Sequence, residues 1–264
     1  VLPPKEDGTR APDAPSWTGY QTTRPTRKQI DAWYADGRRS GIGYVTGQQF
    51  DRVLALLPPD HPDRAGALFH KAEAAKDAGR YEDAEGLYRD AIKAFRNGGD
   101  RMGEGESLTK LGNVLWERGT HDESLASLAE SARILESEPP GVELATCYVF
   151  SAGARIVAGS FEEAIELCER TLELGRELDV GGQVSRALSY RGIARCFSGD
   201  EGGLDDFAKA LEVAEAKGSS RESALALLVR AEAEWAIDRP TVALDTVRAG
   251  RDLAERRGVT DMVF

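Results

Sequence analysis

The sequence predicts an all-α fold, a right-handed α-solenoid of stacked antiparallel helix hairpins, and three observations predict it. From Ala65 onward the chain is nearly free of proline and rich in Ala, Leu, Glu and Arg. A small residue recurs at Ala72, Gly112, Ala152, Gly192 and Ala231, and seven residues after each stands a turn former: Gly79, Gly119, Gly159, Gly199 and Asp238. A second small residue follows at Ala84, Ser124, Ala164, Gly203 and Ala243, and four positions beyond it a larger apolar one at Tyr88, Leu128, Cys168, Phe207 and Val247. The interval is 40 residues with one step of 39. Self-similarity at such a period is the signature of a repeat array, in which each unit buries its apolar face against a neighbour.

The elements follow in order. Residues 1–25 hold five prolines among scattered polar residues without apolar periodicity, and read as extended linker or disorder. Residues 26–64 hold two lead-in helices, each opened by a capping-box pattern, Thr26 with Gln29 and Thr46 with Gln49. The first carries Ile30, Trp33 and Tyr34. The second sets Phe50, Val53, Leu54 and Leu57 on one face and stops at Pro58 and Pro59. Residues 65–264 form five hairpins. In the fourth, FSGDEGGLDDF fills the slot of DAGRYEDAEGLY, ERGTHDESLASL and VAGSFEEAIELC, so this stretch is a hairpin turn and not an active-site loop. Its glycine ends the first helix in a left-handed conformation. The step of 39 is a one-residue shortening there, which Gly202 and Gly203 absorb through backbone freedom.

The chain opens at Val1 without an initiator methionine and runs out at GVTDMVF, which implies a piece of a longer protein cut inside its array. The fifth second helix ends at Gly258, and Thr260 or Asp261 caps the start of a further helix. Leu244, Val247 and Leu253 are then left without cover, an end expected to self-associate.

Formal charge is −11 with a pI near 5, and Lys/Arg alternate with Asp/Glu without a basic stripe. Nucleic acid is therefore not an expected partner. The apolar runs fall far short of the roughly 18 residues of a membrane span, and no signal segment opens the chain, so no membrane association and a cytoplasmic location are expected. Cys147, Cys168 and Cys196 are unpaired in spacing and read as buried thiols.

The pattern of small residue, turn glycine, small residue and aromatic resembles the tetratricopeptide repeat, most fully in LTKLGNVLWERG (108–119) and GSFEEAIELCERTLEL (159–174). The resemblance covers about Ala65 to Arg257, and the period of 40 exceeds the usual 34. More narrowly, ALSYRGIARCFSGDEGGLDDFAKAL and ERRGVTDMVF resemble the carboxy-terminal repeat region of actinobacterial proteins that join an adenylate/guanylate cyclase domain to an AAA-type ATPase domain. The repeat resemblance implies a non-catalytic scaffold that holds a protein or peptide partner in the groove of its first helices, as a regulatory module of a larger signalling protein or as a stand-alone peptide sensor. An enzyme with a site between the array and the lead-in helices is a further alternative.

Candidate groove residues are the outward positions of the first helices: Phe69, Glu73 and Lys76; Thr109, Asn113 and Trp116; Val149, Gly153 and Ile156; Arg186, Ser189 and Ile193; Leu228, Glu232 and Trp235. Trp116 and Trp235 fit packing between hairpins equally well. Chaperone-binding members of the resembled family hold a terminal carboxylate with a lysine one helical turn before an asparagine; here Asn113 is present but Thr109 replaces the lysine. Arg186, Arg191 and Arg195 form either a cationic strip on one helix or pairs with neighbouring carboxylates.

No catalytic set, cofactor or metal site is expected. NGGDRMGEGES (97–107) has Glu104 where a phosphate loop needs lysine, and GIGYVTG (41–47) misses the dinucleotide spacing. His61, His70 and His121 lie far apart. Glu162/Glu163 and Asp205/Asp206 sit early in second helices, where they compensate the helix dipole.

Overall fold

A computed structural model describes residues 47–58 and 61–259 of the chain. The chain divides into two units, Val1–His61 and Pro62–Phe264. In the first unit, α1 spans Gly47–Leu56 and ends just before Pro58, as the proline stop requires. Phe50, Leu54 and Leu57 are half-buried, whereas Val53 of the same expected face is exposed. The first lead-in helix, the linker, the GIGYVTG loop and the helix expected after Thr260 lie outside the described residues.

The second unit is a run of helices paired as hairpins: α2 (Asp63–Asp77) with α3 (Tyr81–Gly98), α4 (Arg101–Glu117) with α5 (His121–Leu135), α6 (Val142–Val157) with α7 (Phe161–Leu174), α8 (Gly181–Phe197) with α9 (Leu204–Ala216), and α10 (Ser220–Ala236) with α11 (Pro240–Arg257). A single 3-10 turn, Glu201–Gly203, precedes α9, and no strand occurs among the described residues.

Each first helix ends in the same way. Gly79, Gly119, Gly159 and Gly199 all have positive φ, and Asp238, which takes the glycine's place in the fifth hairpin, follows with φ 60°. The backbone N–H of that residue bonds three residues back, and the next N–H bonds five back, as in Gly79 to Lys76 (2.9 Å) and Arg80 to Ala75 (2.9 Å). The same pair recurs from Asp238 to Trp235 (3.2 Å) and Arg239 to Glu234 (2.9 Å). This is the Schellman closure, which satisfies carbonyls that the helix end would otherwise leave unpaired.

The small residues bring the two helices of a hairpin together. A Cβ added to Gly112 would lie 2.7 Å from Leu128 Cγ and 3.3 Å from the Ser124 carbonyl. At this spacing the hydroxyls of α5 reach across to carbonyls of α4: Ser124 to Gly112 (2.7 Å), Ser127 to Leu108 (2.9 Å) and Ser131 to Gly105 (2.7 Å). In the fourth hairpin a Cβ on Gly203 would stand 2.3 Å from the Gly192 carbonyl oxygen. Gly203 has no positive φ. Its role in the shortened turn is thus close approach of two backbones, which corrects the expectation of backbone freedom. Asp200 caps this turn through the Gly202 N–H (2.9 Å).

The core runs continuously through hairpins three to five, from Val149 and Ala152 through Cys168, Ile193 and Phe207 to Val229 and Ala233. All three cysteines are buried free thiols, and burial pushes Cys168 up to about 12, so none is poised as a nucleophile.

Two glycines separate packing from propensity. Gly192→Ala is expected to lower stability by about 1–3 kcal/mol through overpacking, since its Cβ would meet the Gly203 carbonyl at 2.8 Å. Gly86→Ala, with nothing within 4 Å of the new Cβ in the middle of α3, is expected to raise it by about 0.5–1 kcal/mol. Denaturant midpoints check both, and shifts of the same sign would break the assigned register.

Candidate groove on the first-helix face

Consecutive first helices, α2 to α4, α4 to α6, α6 to α8 and α8 to α10, approach one another directly, whereas no two second helices do among the described residues. Helices that close up on one side and splay on the other bend the array, so the first helices line its inner face. On the outer side the neighbours are linked by long side chains, such as Arg89 to Glu123 (3.0 Å), Arg96 to Glu130 (2.9 Å) and Arg170 to Glu136 (2.7 Å).

Which first-helix positions face the groove follows from the small residue, because that residue points at its own second helix. A helix turns about 100° per residue, so the positions three before and four after the small residue lie within about 60° of it. The positions one after, six before, two before and nine before lie about 100–180° away and face outward. Phe69, Thr109, Val149 and Ser189, all three before, are buried. Phe69 stacks edge-on against Tyr88 at 5.9 Å, and the Thr109 hydroxyl is engaged with Ser131 (2.7 Å). Phe69, Val149 and Ser189 therefore do not line an open groove, a correction to the expected outward stripe, and Thr109 borders only the depression described below. Ile156 and Ile193 also join the core; Ile193 is closed off because α8 and α10 pack over more of their length than other consecutive first helices do.

Glu73, Asn113 and Gly153 remain half-buried on the open face, Glu232 is exposed, and Leu228 is half-buried. Glu73 is a charged hub: Lys76 Nζ lies at 3.3 Å and Lys110 Nζ at 3.6 Å, and the Tyr88 hydroxyl donates to it. Burial pushes this carboxyl up, but Lys110, the Tyr88 hydroxyl and Lys76 outweigh it and hold it below the ordinary range. Trp116 is half-buried against His121 at 4.2 Å, while Trp235 is 69% exposed. Val157 (69%) and Phe197, which lies edge-on to Phe161 at 5.5 Å, are exposed as well, so α4, α6, α8 and α10 each carry a large apolar side chain at the carboxy-terminal end.

Of the polar depression at the opposite ends of these helices, sequence reasoning named only Thr109. Glu106, Thr109, Lys110, Val142, Glu143, Thr146 and Gln183 line a depression of about 200 Å³ between α4, α6 and α8. The available signal was the charged or hydroxyl residue six before the small residue in the middle three hairpins, Glu106, Thr146 and Arg186, of which the expected stripe included only Arg186.

The arginines of α8 are paired and do not form a free cationic strip. Arg186 clasps Glu222 of α10 with two nitrogens, the Nε contact being 3.1 Å, and lies over the Phe150 ring at 5.9 Å. Arg191 holds Asp206 through two bonds of 3.0 and 2.7 Å, and Arg195 bridges Asp206 (3.0 Å) and Asp200 (2.8 Å). Asp206 is 1% exposed. Its role is therefore this pairing, beyond the dipole compensation expected from its place in the first turn. The Asp100 carboxylate accepts from Gly103 N–H (2.8 Å), so NGGDRMGEGES is a helix junction with an N-cap. Among the described residues, no group of three or more His, Cys, Asp or Glu is placed to hold a metal, and no helix is long and apolar enough to cross a membrane.

Residues 63–137, the first two hairpins, match the tetratricopeptide repeat family model. No curated protein matches the chain. Solved structures share its fold. Aspartyl phosphate phosphatase F from Bacillus subtilis is 11% identical over 92% of this chain and 68% of its own, with a TM-score of 0.61. BtubC from P. vanneervenii is 15% identical over 83% and 89%, also at 0.61. A Rap protein complexed with Competence and Sporulation Factor is 16% identical over 79% of this chain and 59% of its own, again at 0.61. At these identities the likeness is one of fold.

Asp206→Ala leaves Arg191 facing an apolar hairpin and is expected to cost about 2–3 kcal/mol, less than the ~3–5 of a fully enclosed pair because Arg191 keeps partial solvent access. Glu163→Ala removes an exposed partner of Arg155 and is expected to cost under about 1 kcal/mol. Equal shifts in thermal unfolding would show that Asp206 is as well solvated as Glu163. Glu73 gives a pH test. Its folded pKa is depressed, so its stabilisation is present above the unfolded value near 4.5 and is lost as pH falls through the folded one. Glu73→Gln is expected to lower stability at neutral pH and to flatten its fall below pH 4.5; an unchanged acid limb would contradict the hub.

Proposed function

We propose that the chain is a non-catalytic interaction scaffold whose first-helix face holds an extended or helical segment of a protein partner. The observation that carries this reading is a large apolar side chain at the carboxy-terminal end of each of α4, α6, α8 and α10 (Trp116, Val157, Phe197, Trp235), with a polar, carboxylate-bearing edge at the opposite ends. A partner segment with apolar and polar sides matches such a face. The buried Asp206, Glu222 and Glu234 carboxylates all hold arginines, which supports a structural use of these charges in place of acid–base chemistry. The names of the structural neighbours, a phosphatase and a Rap protein with its bound factor, describe those proteins.

The finer readings stay proposals: a regulatory module within a larger cytoplasmic signalling protein of the cyclase–ATPase kind, or a stand-alone sensor, for which the Rap neighbour is the supporting likeness. Self-association through α11 is also proposed, on Val242 and Leu244, both exposed; sedimentation that stays monomeric at rising concentration would sink it.

A displayed random peptide library panned on the 264-residue chain tests the main reading. Selected peptides are expected to lose about tenfold in affinity with Trp235→Ala, and several-fold with Asn113→Ala, while thermal midpoints stay within about 0.5 kcal/mol of wild type. Affinities untouched by both changes would place the partner surface elsewhere.

A further inference from the structure

We infer that the depression between α4, α6 and α8 receives a cationic side chain, a lysine or arginine, from the partner segment. This rests on the groove reading above and adds the chemistry of its anchor.

The volume of about 200 Å³ comes first. It falls below the roughly 300–1,000 Å³ of sites that enclose a whole small molecule, and suits one side chain of a longer ligand. The lining comes second. The Thr109 hydroxyl is spent on Ser131 (2.7 Å). The Thr146 hydroxyl donates to the Val142 carbonyl (2.7 Å) and accepts from Gln183 Nε2 (3.1 Å). Lys110 makes its ion pair with Glu73 at 3.6 Å, where it shares that carboxylate with Lys76. What remains unmatched is negative: Glu106 on α4 and Glu143 at the start of α6 line the site, and neither makes an ion pair within the described residues.

Half-buried or buried carboxylates elsewhere in the array are matched. Glu73, Glu104, Asp206, Glu222 and Glu234 each hold a lysine or arginine. Glu106 departs from that pattern. Burial pushes its carboxyl up; Lys110 opposes this, and Glu143, Glu73 and Asp100 add to it. A cation entering the depression would supply charge-assisted hydrogen bonds to a carboxylate already partly stripped of water. Its aliphatic stem would lie along Val142 and the Thr146 methyl, as long cationic side chains do on apolar surface. The net charge of −11 steers a basic segment toward the chain and an acidic one away.

The same panned library provides the test, read now for composition. Peptides that bind the wild-type groove are expected to share a lysine or arginine at one fixed position. Replacing that residue by norleucine, which keeps the stem and removes the charge, should weaken binding about tenfold, and so should Glu106→Gln with Glu143→Gln in the protein. Once the protein carries both changes, norleucine should cost little more, because the two perturbations remove the same contact. Groove binders with no fixed cationic position, or a norleucine peptide that binds as well as its parent, would overturn the inference and leave the scaffold reading standing. A library that yields no binder sensitive to Trp235→Ala would sink both.

Discussion

The contact on which the rest of this array depends is the close approach, through small residues, of the two helices inside each hairpin. Gly192 meets Gly203 at a distance that excludes even a methyl group, a Cβ on Gly112 would press on the Leu128 side chain, and the other three hairpins place alanine at both positions. The left-handed residue at the end of each first helix aims the second helix back along it, and the small residues let the pair close. Once closed, the hairpin fixes the rotation of its first helix. That rotation decides which residues go to the core and which face outward. Thr109 and Ser189 are small polar residues that look like surface positions, yet they are enclosed because they lie on the hairpin side of this contact.

Stacking adds a second order of organisation. Direct contact between first helices, without its counterpart among second helices of the described residues, bends the array and leaves neighbouring hairpins to be bridged elsewhere by long basic side chains. Those bridges join residues about one repeat apart: Arg118 to Glu85 spans 33 residues, Arg96 to Glu130 34, and Lys217 to Asp179 38. Each exposed pair contributes little by itself. Together they place opposite charges wherever neighbouring hairpins meet, which favours the observed stacking register over a slipped one. The carboxylates near α4 and α6 that escape this pairing stand out against it.

The sequence by itself determined the hairpin and its period. Local physics sufficed, because glycine or aspartate with positive φ, small residues at fixed offsets and the proline after Leu57 each act within a few residues of where they are read. The substitution of Asp238 for the turn glycine, and the one-residue shortening before Gly203, were both legible in this way. So were the burial of Cys147, Cys168 and Cys196 and the turn role of FSGDEGGLDDF. Tertiary structure decided the open face and the charge partners. A stripe one position off, at about 60° from the small residue in place of about 100–180°, reads the same in a sequence of mixed polarity, and only the packed hairpin shows that Phe69, Thr109 and Ser189 point inward, while Ile193 is covered by the packing of α8 on α10. Arg186 likewise finds Glu222 36 residues away, and Glu106 and Glu143 share one depression although 37 residues separate them. Such meetings depend on the angle between successive first helices, and no local pattern encodes that angle.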